Sequence, residues 1–108
     1  MLPSGNDAAF ALAQHFGKKL YKTKYKKKDV KSYQFDYHPY FAKYFIKEMN
    51  LFAHQLDLAL THFDSPHGLQ NIENLSCAYD MAKLSAICIQ NEYFRKIVST
   101  SYYECKAK

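Results

Sequence analysis

The sequence predicts an all-α protein, a small three- or four-helix bundle in which a basic, partly extended connection joins helices one and two. The chain has 108 residues, about the size of one average domain, so we treat residues 1–108 as a single helical domain. Hydrophobic residues make up 48% of the chain, and glycine and proline occur three times each, which disfavours disorder and a turn-rich β-protein. Apolar residues also recur at helical spacing in three long segments.

Helix one is predicted over residues 8–20. Ser4 and Asp7 resemble a capping box at its start. The apolar positions that follow have helical spacing and are Ala9, Leu12, Ala13, Phe16 and Leu20. Gly17 weakens the last turn and the apolar period then stops, so residues 18–38 are predicted to be a basic and aromatic connecting segment.

Helix two is predicted from Pro39 to Phe63, because proline suits the first turn of a helix and the next breaker is the turn at residues 64–68. Its main apolar stripe consists of Phe41, Phe45, Met49, Phe52, Leu56, Ala59 and Phe63. Further apolar residues flank the stripe, so we expect this helix to contact more than one neighbour. Glu48 falls on the apolar side, where we expect a tyrosine hydroxyl or a lysine of a neighbouring helix to bind it.

Helix three is predicted to begin near Leu69 or Asn71. Two apolar stripes on nearly opposite sides predict a helix that packs between two neighbours. One stripe contains Ile72, Leu75, Tyr79, Ala82, Ala86, Ile89, Tyr93 and Ile97, and the other contains Cys77, Met81, Leu84 and Cys88. The end of the helix stays open, since it either continues to Tyr103 or breaks near residues 99–101.

The cellular location predicted from the sequence is cytoplasmic. No apolar run reaches the roughly 18 residues of a membrane span, and the first residues lack the basic and apolar parts of a signal peptide. Cys77, Cys88 and Cys105 are odd in number and lack Cys-x-x-Cys spacing, which disfavours a disulfide framework and a zinc knuckle. We therefore expect reduced thiols.

A lysine–tyrosine tract between helices one and two holds most of the excess charge. The net charge of the chain is +5, and residues 18–31 alone carry +7. Lysines interleaved with tyrosines suit non-specific contact with phosphates and bases, whereas the single arginine, Arg95, disfavours sequence-specific reading of DNA. The predicted nucleic-acid-binding residues are Lys18, Lys19, Tyr21, Lys22, Lys24, Tyr25, Lys26, Lys27, Lys28, Lys31 and Tyr33. A tract that serves only solubility is the alternative.

The sequence predicts a non-enzymatic binding protein. It contains no Gly-rich phosphate loop and no Gly-x-Ser-x-Gly, His-Glu-x-x-His or Cys-x-x-Cys pattern, so no cofactor, metal ion or small-molecule substrate is expected. Nucleic acid is the first predicted partner. The alternative is a helical protein–protein interaction module, such as an inhibitor, an immunity factor or an assembly subunit, and self-association is expected as a further use of the apolar surface of helix two.

Three histidines carry two remote alternatives, one at His54 and one at His62 and His67. The segment Ala53-His54-Gln55-Leu56 resembles the Ala-His-x-Leu-Lys-Gly centre of histidine phosphotransfer domains, which are helical bundles of this size, although Asp57 and Leu58 replace the lysine and glycine. That resemblance implies phosphorylation of His54. Nearby, His62, Asp64 and His67 are residue types that bind zinc or nickel, but their spacing is more typical of turn and capping chemistry.

Overall fold

The computed structural model describes residues 4–25 and 41–105. Within these residues the chain forms four α-helices and one π-helical turn, and it contains no strand. The elements are α1 (Asn6–Leu20), the π-helical turn (Tyr21–Tyr25), α2 (Ala42–Gln55), α3 (Ala78–Cys88) and α4 (Glu92–Val98). This helical content confirms the all-α prediction. The bundle arrangement, the single-domain boundary and the basic connection stay predictions, and residues 26–40 of that connection lie outside the described residues.

The start of α1 differs from the predicted capping box. Gly5 is the N-cap residue and no side chain caps the helix. Ser4 precedes it with a φ of 48°, a left-handed backbone that places its hydroxyl outside the cap position. Charge complements the helix dipole at both ends, since the first turn carries an aspartate and the last turn carries two lysines.

The contact between α1 and α2 depends on small residues. A Cβ atom added to Gly17 would lie 1.9 Å from the carbonyl oxygen of Phe41, so only glycine lets α1 approach the first turn of α2 this closely. The Gln14 side chain accepts a hydrogen bond of 2.8 Å from the backbone N–H of Ala42, a donor that α2 itself cannot satisfy. Gly17 is therefore a packing residue.

The predicted connecting segment begins later than residue 18. Residues 21–25 continue α1 as a π-helical turn, which brings Tyr21 and Tyr25 onto the same side. Their ring centroids lie 5.2 Å and 5.0 Å from that of Tyr44 in α2. Aromatic packing therefore orders residues that were predicted to belong to the connecting segment.

Helix two is shorter than predicted because it ends in a Schellman motif. The N–H of Leu58 donates to the Ala53 carbonyl at 2.9 Å, and the N–H of Asp57 donates to the His54 carbonyl at 3.0 Å. Asp57 has a φ of 51°, the left-handed conformation that this motif requires. The closure turns Leu58 inward, where its exposed fraction is 4%. Most helices of this kind carry glycine at the left-handed position, so the sequence lacked the usual stop signal.

Helix three begins later than predicted and is interrupted. Residues 57–77 form an irregular connection in which His62 and Leu75 make one antiparallel bridge. Cys77 caps α3, since its Sγ accepts a hydrogen bond from the N–H of Asp80. Asn91 starts α4 by accepting a hydrogen bond of 3.0 Å from the N–H of Phe94. The predicted alternative of a break near residue 99 is confirmed, because α4 ends at Val98.

The buried apolar residues lie mainly in α1 and α2: Ala13, Ala42, Tyr44, Ala53 and Leu58. In contrast, α3 is covered on one side only. Its Met81 and Leu84 are half-buried, whereas Tyr79 is 76% exposed, so the prediction of a helix between two neighbours is wrong for the described residues. None of the helices in residues 4–25 and 41–105 combines the length and apolar character needed to cross a bilayer.

Candidate functional site

The N-terminal end of α1 carries two small polar side chains, those of Ser4 and Asn6, on either side of Gly5. Ser4 and Gly5 are exposed and Asn6 is half-buried. The first N–H groups of a helix have no intrahelical acceptor, and the helix dipole makes this end partly positive. A hydroxyl and a carboxamide beside such an end offer donors and an acceptor to a peptide backbone or a carboxylate. The left-handed Ser4 backbone is a strained conformation of the kind that occurs at functional sites.

Glu48 lies at the centre of a polar cluster between the π-helical turn and α2. Its two carboxylate oxygens accept hydrogen bonds of 2.7 Å and 2.9 Å from Lys24 Nζ, and Oε1 also accepts one of 2.5 Å from the Tyr25 hydroxyl. The Lys24 hydrogen bond, followed by that of Tyr25, lowers the pKa of Glu48 below its ordinary value. The same bond to Glu48, together with burial, raises the pKa of Tyr25 to about 12. The predicted pairing of Glu48 is confirmed.

The described tyrosines of the lysine–tyrosine tract pack against α2. Tyr21 and Tyr25 pack on Tyr44, and Lys47 Nζ lies 4.8 Å from the centre of the Tyr25 ring. Both tyrosines are half-buried, and their rings contribute to the packing against α2. The described members of the predicted site are Lys18, Lys19, Tyr21, Lys22, Lys24 and Tyr25; the remaining members, Lys26, Lys27, Lys28, Lys31 and Tyr33, lie outside the described residues.

Two buried or half-buried side chains hold the irregular connection in place. Asp80 Oδ2 accepts hydrogen bonds from the Leu60 N–H at 2.9 Å and from the Thr61 hydroxyl at 2.7 Å. The Thr61 hydroxyl is the main cause that lowers the pKa of Asp80. Asn50 of α2 binds both backbone groups of Phe63, at 2.7 Å to its carbonyl and 2.8 Å to its N–H. The irregular connection is therefore held by hydrogen bonds to one side chain of α2 and one side chain of α3.

The histidines have ordinary structural surroundings. His54 is exposed in the last turn of α2. His62 Nδ1 lies 2.7 Å from the Glu73 carbonyl, and His67 Nδ1 accepts a hydrogen bond from the Leu69 N–H two residues on. Across the described ranges, no three histidine, cysteine or acidic side chains are grouped to hold a metal ion. The local geometry favours turn and capping roles.

Comparison with known proteins identifies relatives for nearly all of the chain. A family model described as D-alanyl-D-alanine carboxypeptidase matches residues 36–108. A D-alanyl-D-alanine carboxypeptidase of Streptomyces sp. (strain K15) is 37% identical over 106 residues, which cover 98% of this chain and 31% of the relative. D-alanyl-D-alanine carboxypeptidase DacD of Escherichia coli is 34% identical over 92 residues, 85% of this chain and 18% of the relative. The chain therefore spans less than a third of the length of either relative.

The start of α1 carries one further motif, Ser4-Gly5-Asn6. The Streptomyces match leaves out at most two residues of the chain, so it includes Ser4-Gly5-Asn6. Penicillin-binding proteins and class A β-lactamases combine a Ser-x-x-Lys, a Ser-Asp-Asn and a Lys-Thr-Gly motif. Residues 4–6 have the Ser-x-Asn form, although their spacing alone indicates only a helix start. A short tripeptide without its two companions is a weak signal, and neither companion occurs in the 108 residues.

These relationships correct the functional predictions. The family and both relatives are enzymes by name, so the prediction of a non-enzymatic protein is wrong, as are the nucleic-acid partner, the protein-interaction module and the phosphotransfer alternative. The cytoplasmic location stays a prediction. The match to residues 36–108 and the identity to the Streptomyces relative show that this chain belongs to the D-alanyl-D-alanine carboxypeptidase family.

Proposed function

We propose that this chain forms part of an enzyme that removes the terminal D-alanine from a peptide ending in D-alanyl-D-alanine. In that reaction the amide bond between the two D-alanines breaks, water supplies a hydroxyl to the acyl carbon, and the leaving amine gains a proton. The observation that carries the proposal is the 37% identity to a D-alanyl-D-alanine carboxypeptidase over 98% of the chain.

Within this proposal, residues 4–6 form the part of the active site that the chain contributes. The exposed Ser4 hydroxyl can donate and accept a hydrogen bond, and the Asn6 carboxamide can bind both groups of a peptide backbone. The uncapped end of α1 adds partial positive charge, which favours a carboxylate or a developing oxyanion nearby. These three features suit a peptide substrate with a free carboxyl end.

The remaining catalytic groups would come from outside these 108 residues. No Ser-x-x-Lys and no Lys-Thr-Gly occurs in the sequence, so the chain has neither the nucleophile motif nor the third motif of the penicillin-binding proteins. The exposed apolar side chains of α3 and α4 support a place within a larger fold. Tyr79 of α3 and Tyr93 of α4 are 76% and 74% exposed, an arrangement that is costly unless other polypeptide covers it.

A chimera tests the proposed function. The segment of the Streptomyces relative that aligns with this chain is replaced by the corresponding residues of this chain, and release of D-alanine from a synthetic peptide ending in D-alanyl-D-alanine is measured. We expect the chimera to release D-alanine and to leave a peptide ending in L-alanyl-L-alanine intact. Circular dichroism checks that the chimera is folded.

Variants of the chimera test the assigned residues. Ser4→Ala and Asn6→Ala should each lower kcat/KM by about a hundredfold or more, in the range seen when a single transition-state hydrogen-bond donor is removed. Ser101→Ala, at an exposed serine far from α1 in sequence, is the matched control and should retain activity. A folded chimera without D-alanine release would contradict the proposal. If the whole exchange does not fold, exchange of residues 4–25 alone provides the same test.

A further inference from the structure

A cavity lies between α2, the irregular connection and α3. Its volume is about 350 Å³, within the range of small-molecule sites. The residues around it are Met49, Phe63, Ser65, Pro66, Gly68, Asn74, Leu75, Ser76 and Met81. None of these described lining residues carries a charge, and none belongs to the Ser4–Asn6 segment.

Ser65 is the unusual member of this lining. Its exposed fraction is 7%, and its Oγ has no hydrogen-bond partner within the described part of the chain. The other polar side chains of the cavity are engaged, since Ser76 Oγ lies 2.9 Å from the Thr61 hydroxyl and Asn74 Oδ1 accepts from the Asp64 N–H at 3.3 Å. A buried hydroxyl without a partner destabilises a fold, and buried polar groups in proteins are nearly always satisfied.

The rest of the lining defines the shape and polarity of a matching ligand. Met49 and Met81 contribute thioethers and Phe63 contributes a ring, groups that pack well against an aromatic or branched aliphatic body. Without a charged lining residue, a carboxylate or an ammonium would lose its hydration and gain no ion pair. The ligand is therefore neutral and mostly apolar, with a polar group for Ser65.

We propose that this cavity binds a neutral small molecule with an aromatic or branched aliphatic body and one carboxamide, whose oxygen accepts a hydrogen bond from Ser65 Oγ. A carboxamide is neutral and both accepts and donates hydrogen bonds, so it matches a hydroxyl that can do the same. This site does not depend on the proposed carboxypeptidase activity, because it uses different residues and a different ligand charge.

Three probes of similar shape test the site in the complete chain. Benzamide carries the carboxamide, benzoate replaces it with a charge, and toluene lacks both. The methyl signals of Met49 and Met81 are followed by NMR during titration of protein with ¹³C-labelled methionine methyl groups. We expect benzamide to shift both signals with a dissociation constant of about 1 mM, as befits so small a ligand, and benzoate to bind at least about tenfold more weakly.

Substitution of Ser65 separates the hydroxyl from the apolar cavity. Ser65→Ala should weaken benzamide binding about three- to tenfold and leave toluene binding within about twofold, since one hydrogen bond is lost. Ser101→Ala, an exposed serine outside the lining, should change neither. Ser65→Ala should fold, because the Ser65 hydroxyl has no hydrogen bond to lose. Ser65→Cys, which keeps only a weak donor, should also weaken benzamide binding. The proposal is overturned if benzamide gives no shifts at 20 mM, if Ser65→Ala binds it unchanged, or if benzoate binds equally well.

Discussion

The carbonyl oxygen of Phe41 occupies the space where a side chain on Gly17 would begin, with only 1.9 Å between that oxygen and an ideal Cβ. Ala13 lies one turn earlier on α1 and is completely buried. Together, a glycine and an alanine let the helix backbone approach the start of α2 directly. This close approach positions the N-terminal end of α1 relative to α2.

Gly17→Ala should destabilise the chain by at least about 2 kcal/mol, since the added methyl group overpacks a backbone contact that cannot rotate away. Alanine is normally about 1 kcal/mol better than glycine inside a helix, so the expected sign is opposite to the intrinsic preference. Urea unfolding followed by circular dichroism measures the difference. Gly5→Ala is the comparison variant, because its Cβ would meet only the Ala8 side chain at 3.4 Å and the weaker N-capping of alanine costs at most about 1 kcal/mol. Equal stability of both variants would argue against the close contact.

Asp57→Gly should stabilise the chain by about 1 kcal/mol. Asp57 has a φ of 51°, and a residue with a Cβ is disfavoured there while glycine is not. The Schellman hydrogen bonds use backbone groups only and survive the change. Thermal unfolding of Asp57→Gly, Asp57→Ala and the parent chain gives the comparison, with alanine expected to be the least stable. A glycine variant that unfolds at a lower temperature would contradict this account of how α2 ends.

Asp80→Asn should lower the melting temperature by several degrees. The Asp80 carboxylate accepts hydrogen bonds from both the Leu60 N–H and the Thr61 hydroxyl, and an amide in its place presents donors to one of these groups. Because the folded state lowers the pKa of Asp80, its contribution to stability is present above the ordinary pKa of 3.8 and is lost as the pH falls through the folded value. Glu104→Gln removes an equal charge at an exposed position and should leave the melting temperature at neutral pH unchanged.

Glu48→Gln should bring the pKa of Tyr25 down from about 12 towards 10, because the carboxylate bond is the largest cause of the raised value. A raised tyrosine pKa stabilises the folded state below the unfolded pKa of about 10, and this contribution is lost as the pH rises towards 12. Glu48 itself has a lowered pKa, so its carboxylate stabilises the folded state above about pH 4.5. This stabilisation is lost as the pH falls through the lowered pKa. An NMR titration of the tyrosine ring signals measures the change. Glu92→Gln, on α4, is the control, and a Tyr25 pKa that stays near 12 in Glu48→Gln would contradict the assignment.

The residue pattern predicts part of the fold but not the candidate site at Ser4-Gly5-Asn6. Local signals predicted helix one because apolar spacing acts within a few residues, whereas the end of helix three stayed open between Tyr103 and residues 99–101 until the structure placed the end of α4 at Val98. The Ser4-Gly5-Asn6 motif, in contrast, has meaning only beside two motifs that these 108 residues do not contain. The high charge of the lysine–tyrosine tract suggested nucleic-acid binding. Its described tyrosines, however, pack against Tyr44 of α2. Relatedness to known enzymes, and not charge, identified the family.

The sequence by itself determined the all-α class, the position of α1 and the need of Glu48 for a tyrosine or lysine partner, since apolar periodicity and the desolvation of a carboxylate are local properties. Only the tertiary structure decided that Gly17 is a contact residue, that Asp57 ends α2 in a left-handed conformation and that Tyr21 and Tyr25 face Tyr44. Each of these depends on which distant groups share the same space. Distances across the fold, such as the one between Gly17 and Phe41, follow from packing that no single segment encodes.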